Sequence, residues 1–116
     1  MYKVMIVGHG FVGSAVASLF SEKEKVIVDP KFTDNKISDN SGVAFDAVFV
    51  SVDTPKAEGF KLLDTILWEL NYCMLKGTPV CCKSTATPEF YHNVSQKYNH
   101  CLLYTSPSPR DSATSR

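Results

Sequence analysis

At 116 residues the chain is the length of one domain, with 44% hydrophobic and 21% charged residues, an ordinary globular mixture. Twelve basic residues balance twelve acidic ones, and zero net charge argues against a general nucleic-acid binder, which needs a basic excess to release counterions. No apolar run reaches the length of a membrane span and no basic-then-apolar leader opens the sequence, so the expectation is a cytoplasmic protein with no membrane partner.

Lys3–Val7 is a short apolar run rich in β-branched residues and bounded by Gly8, suited to a strand buried on both faces. From Phe11 to about Ser21, the apolar residues Ala15, Val16, Leu19 and Phe20 recur at helical spacing. Lys25–Val28 reads as a second buried strand, ended by Asp29-Pro30. The polar stretch Lys31–Gly42 reads as a loop that could hold a short strand at Lys36–Ser38. Ala47–Val52 is another continuous apolar strand, punctuated afterwards by Thr54-Pro55 and Gly59. Leu62, Leu63, Ile66, Leu67, Leu70, Cys73 and Met74 form the inner stripe of a long helix, which Gly77 and Pro79 terminate. Val80–Lys83 is a fourth strand. Thr87-Pro88-Glu89 then has the pattern of a helix start, with an N-cap, a first-turn proline and an acid at the positive end. Phe90, Tyr91, Val94 and Tyr98 supply that helix's buried side. Alternating strands and helices predict βαβ units, hence a parallel sheet covered on both faces.

The composition changes near residue 100. All ten lysines precede it, both arginines (Arg110 and Arg116) follow it, and TSPSPRDSATSR from Thr105 has Ala113 as its one apolar residue. Such a stretch buries too little surface to offset its ordering entropy and is expected to be disordered. Residues 101–111, CLLYTSPSPRD, also match the read-through translation of a transposase-based sequencing-library adapter. The expectation is therefore a truncated domain over residues 1–100 with an artefactual tail over 101–116. The alternative is a natural strand, His100 to Thr105, running into a Ser-Pro loop.

Gly8-His9-Gly10-Phe11-Val12-Gly13 is a G-x-G-x-x-G motif set directly after the first strand and opening the first helix. Asp29 follows at the end of the second strand, near the distance expected of a ribose-binding acid. In this arrangement Gly8 permits a tight turn, Gly10 lets backbone approach a pyrophosphate, and Gly13 allows close helix–sheet packing. Phe11 and Val12 carry the helix-start amides that would meet the phosphates. Asp29 would accept hydrogen bonds from the adenosine ribose and repel a 2′-phosphate, favouring NAD over NADP, a preference that nearby Lys31 softens. His9 reads as a loop histidine without a role. Cys73, Cys81, Cys82 and Cys101 show neither a CxxC pair nor zinc-ligand spacing, which predicts reduced thiols and no metal; Cys81-Cys82 reads as core. The fold class is α/β, a Rossmann-type doubly wound parallel sheet with helices on both faces.

Two further segments carry a family resemblance. Val50-Ser51-Val52-Asp53-Thr54-Pro55 resembles the strand-end V-P-T-P signature of the UDP-glucose/GDP-mannose dehydrogenases, and Lys83-Ser84-Thr85-Ala86-Thr87-Pro88 resembles their K/E-S-T-V-x-P-G signature. The opening Val4–Gly13 is similar to the family's I-A-V-x-G-x-G-Y-V-G, and Asp64 matches an acidic position of the family. The resemblance covers nearly all of residues 1–98. It implies an NAD-binding N-terminal domain of an oxidoreductase that oxidises a nucleotide sugar in two hydride transfers through a thiohemiacetal on cysteine. It also implies a homo-oligomer when full length, with Thr54, Ser84 and Thr85 at the cofactor and Thr85 closest to the reacting carbon. Departures are Asp53 for proline, Glu89 for glycine, and a short segment between the second strand and Ala47. The family's nucleophilic cysteine belongs to later domains, and no cysteine here has its glycine-rich context, so this chain alone is expected to be inactive. Two other readings stay open: a stand-alone, non-catalytic NAD-binding module, and another β-hydroxyacid-type NAD-dependent dehydrogenase.

Overall fold

Four apolar segments of four residues each build the centre of the molecule: β1 (Val4–Val7), β2 (Lys25–Val28), β3 (Ala47–Val50) and β4 (Pro79–Cys82). A computed structural model describes residues 3–53 and 60–105, and in it these strands form one all-parallel sheet with a fifth, β5 (Leu102–Thr105). The strand order is β2-β1-β3-β4-β5. Chain direction across the sheet therefore reverses between β1 and β3, the switch point at which open α/β sheets leave a crevice. Register is in step across the centre, with Ile6 beside both Ile27 and Phe49, and Phe49 beside Cys81.

Alternation along the strands divides the core into two layers. Met5 and Val7 face one way with Val48, Val50, Val80 and Cys82, where α2 (Lys61–Cys73) and α3 (Pro88–Lys97) cover them. Val4 and Ile6 face the other way, under Val16 and Ala17 of α1 (Phe11–Ala17). Both faces of β1 are thus buried, as its unbroken apolar run requires. The expected doubly wound α/β architecture is the one observed.

The helices differ from the sequence reading in their limits. α2 buries Leu63, Ile66, Leu67, Leu70 and Cys73, but Leu62 of the same stripe is half-exposed and the helix ends at Cys73, before Gly77. Gly77 instead turns the chain into β4 with φ +84°, donating its N–H to the His100 carbonyl. α1 stops at Ala17, so its inner side is Gly13, Val16 and Ala17, while Ala15 and Leu19 face outward. That shift has a cause: the contact made by Gly13 fixes which side of the helix meets the sheet. α3 starts as its sequence dictates, the Thr87 hydroxyl oxygen accepting from the Phe90 N–H at 3.1 Å.

Between β2 and β3 the structure has a single 3-10 turn, Ser38–Asn40, in place of the short strand considered at Lys36–Ser38. Asp39 and Asn40 bond back to Lys36 and so close the turn locally. Ile37 and Phe45 from this segment are buried beside α2, which lets a short connection replace a helix. At the other edge, residues 101–105, assigned from sequence to the added tail, enter and form β5. Leu102 to Thr105 pair with Pro79 to Cys82, and Cys101 is buried. A β-compatible run will extend an open parallel edge whatever its origin.

The two sides of α2 give a direct stability contrast. Leu70→Ala, at a fully buried position, is expected to cost about 2–5 kcal/mol in urea unfolding. Leu62→Ala, at a 51% exposed position on the same helix, should stay within about 0.5 kcal/mol.

Candidate functional site at the carboxyl edge of the sheet

Because every strand runs the same way, Gly8, Asp29, Ser51 and Lys83-Ser84 all emerge at one edge. Backbone bonds stitch that edge together. The Gly8 N–H donates to the Val28 carbonyl at 2.9 Å, Ser51 N–H to Val7 at 2.8 Å, and Lys83 N–H to Val50 at 2.7 Å.

The three glycines of the motif have three different surroundings. Gly8 sits at φ +93°, and a Cβ there would lie 2.5 Å from the Ser51 carbonyl oxygen. Its position excludes a side chain on both conformational and steric grounds. A Cβ on Gly13 would lie 1.9 Å from the Gly8 carbonyl oxygen, so α1 crosses the turn at backbone-contact distance. Gly10 is the opposite case: a Cβ there meets nothing within 4 Å. The turn therefore needs Gly8 and Gly13 for its own shape, whereas Gly10 keeps open space above the backbone. Gly10 is also the N-cap of α1 without any side-chain cap, leaving the first-turn amides of Phe11, Val12 and Gly13 facing that space without intrahelical partners. Phe11 is 93% exposed and Val12 is 44% exposed.

Asp29 is tied to this turn. One carboxylate oxygen accepts from the His9 N–H at 2.7 Å and the other from the Lys31 N–H at 2.9 Å. Burial acts to raise its pKa, but the two amides, aided by the Lys31 and His9 charges, win, and the pKa lies below the ordinary carboxylate value. A fixed anion thus stands beside the open space over Gly10, with further lone pairs on both oxygens.

His9 is more than the roleless loop residue expected. Its ring packs edge-on against Phe32 at 5.0 Å between centroids, and its Nδ1 is buried without a hydrogen-bond partner among the described residues. The Ser51 hydroxyl beneath the glycine turn is likewise buried and unpartnered there. No spacing rule could have flagged either, since both depend on contacts made across the fold.

Ser84 is buried, and its hydroxyl oxygen accepts the Val52 N–H at 2.9 Å, joining the ends of β3 and β4. Its carbonyl accepts from the Tyr91 hydroxyl, which is buried and has its pKa raised by burial and by nearby Cys82. Thr85 follows on the exposed rim of the same edge. Thr54 and Pro55 lie outside the described residues. Asp64 sits in the first turn of α2 and accepts from the Tyr98 hydroxyl at 2.8 Å, linking α2 to α3 rather than joining the glycine turn.

The cysteines hold no activated thiol. Burial pushes Cys82 up to about 12 and Cys101 up to about 11, and it also raises Cys73 and Cys81. Cys82 is core, as read from sequence, while Cys81 faces the other layer half-buried. Among the described residues no cluster of His, Cys, Asp or Glu could hold a metal ion, and no helix is long and apolar enough to cross a membrane.

No family model matches this chain, and neither the curated proteins nor the solved structures contain a match.

The glycine surroundings predict opposite outcomes for two conservative changes. Gly13→Ala should lower the melting temperature by several degrees or prevent folding, because helix and turn must separate. Gly10→Ala should cost less than about 1 kcal/mol, the modest penalty of alanine at an N-cap.

Proposed function

We propose that this chain is an NAD-binding domain of a nucleotide-sugar dehydrogenase of the UDP-glucose/GDP-mannose type. The observation that carries the dinucleotide part is the division of labour among the glycines. Two are required by the turn itself, and the third, Gly10, is required by nothing in the protein and leaves open the space a pyrophosphate would fill. The acid expected at the end of β2 supports the same reading, since Asp29 is held against that turn by the His9 amide.

The residues present fit the cofactor. The amides of Phe11, Val12 and Gly13 would bind its pyrophosphate, and Asp29 would accept from the adenosine ribose hydroxyls. Ser84 and Thr85, with Thr54 as the family resemblance implies, would line its nicotinamide end. When bound, NAD would supply the hydride acceptor for oxidation of the sugar alcohol. The chain's own work is to bind and orient. It pins Asp29 in a charged form, keeps the phosphate cradle free of side chains, and fixes the β3 and β4 ends through the Val52–Ser84 bond. The covalent part of the family reaction has no candidate among these buried, protonated thiols, so turnover would need residues beyond this domain.

Isothermal titration with NAD tests the reading. Saturable one-to-one binding is expected, weakened at least about tenfold by Gly10→Ala while the melting temperature holds, a loss of roughly 1.4 kcal/mol. With UDP-glucose and NAD together, no steady NADH production is expected. Absence of binding to the folded protein, or equal binding by Gly10→Ala, contradicts the proposal.

A further inference from the structure

Asp29 holds a charge that should turn away a 2′-phosphate, yet it does not stand alone. His9 donates its backbone N–H to one oxygen and Lys31 donates its own to the other, and both side chains act on Asp29 through their charges. The His9 ring cannot swing freely, because Phe32 packs against it at 5.0 Å and 71°. Its Nδ1 is sealed inside that contact, so Nε2, on the far edge of the ring, is the nitrogen left to meet a ligand. The ring thus sits on the glycine turn, one residue from the open space over Gly10 and beside the acid that faces the ribose.

Resting on the dinucleotide reading, we propose that His9 sets this site's tolerance for a 2′-phosphate, so that the site takes NAD throughout the neutral range and takes NADP when the imidazole is protonated. The ionisable groups acting on the ring are Asp29 and Lys31, both from the turn after β2, while Phe32 brings no charge. A neutral ring leaves Asp29 opposed by exposed Lys31 alone, and a dianionic 2′-phosphate is repelled. An imidazolium adds a second positive charge within a few ångströms of the ribose 2′ position. At such separations near a protein surface, one charge is enough to change an anion's affinity several-fold.

The test is titration of the whole chain with NAD and with NADP, each at about pH 6 and about pH 8, on the wild type, His9→Gln and His9→Lys. For the wild type, NADP should bind at least about fivefold tighter at the lower pH, while NAD changes less than about twofold. His9→Gln carries only the titration of the phosphate itself, so its NADP affinity should vary less with pH and be weaker at the lower one. His9→Lys keeps a charge at both pH values and should bind NADP at pH 8 about as tightly as the wild type does at pH 6. If the two variants behave alike, or His9→Gln retains the full pH dependence, the assignment of His9 is overturned while NAD binding stands. If neither cofactor binds the folded wild type, the dinucleotide reading fails and this inference falls with it.

Discussion

The close approach of two backbones, Gly13 to the carbonyl of Gly8, is the constraint on which the rest of this edge depends. With a would-be Cβ 1.9 Å from that oxygen, α1 leaves the turn along the one path that a glycine there allows. That path selects Val16 and Ala17 as the residues that cover Val4 and Ile6, and it turns Ala15 and Leu19 outward. It also aims the start of α1 over the end of β1 at the switch point, where Gly10 adds open space. Packing in the core and the shape of the proposed site are therefore two consequences of one contact.

Around that contact the edge is held rigid by hydrogen bonds between segments far apart in sequence. Asp29 bridges the glycine turn and the turn after β2, and Ser84 fixes the end of β3 from the end of β4. Both residues use polar groups suited to a ligand, and both are also structural. Asp29 retains lone pairs after accepting two amides, and Ser84 retains a hydroxyl proton after accepting one. Pre-positioned groups of this kind lower the ordering cost of binding.

The fold was legible because its signals are local. β2 is an apolar run stopped by Asp-Pro, the inner stripe of α2 is a sustained helical period, and α3 opens with Thr-Pro-Glu. Each needs only its own neighbours, and each formed within a residue or two of its expected limits. The glycine roles were legible for a related reason, since their spacing encodes a turn whose geometry is fixed. Misread features depend on distant contacts. Leu19 matched the helical period of α1, but the Gly13 crossing rotated it to solvent, where it is 77% exposed. Lys36–Ser38 had strand-compatible residues, but the side chains of Asp39 and Asn40 closed a local turn instead. His9 carried no signal at all, because its partner Phe32 comes from another strand's exit.

Backbone amide shifts on addition of NAD test the central claim most directly, because they locate the ligand as well as detect it. The account predicts that the largest changes fall on Gly8 to Gly13, Asp29, Ser51 to Asp53 and Ser84-Thr85, with the outer side of α2 at Trp68 and Tyr72 undisturbed. Changes centred on α2 or β5, or none at saturating NAD, would contradict it.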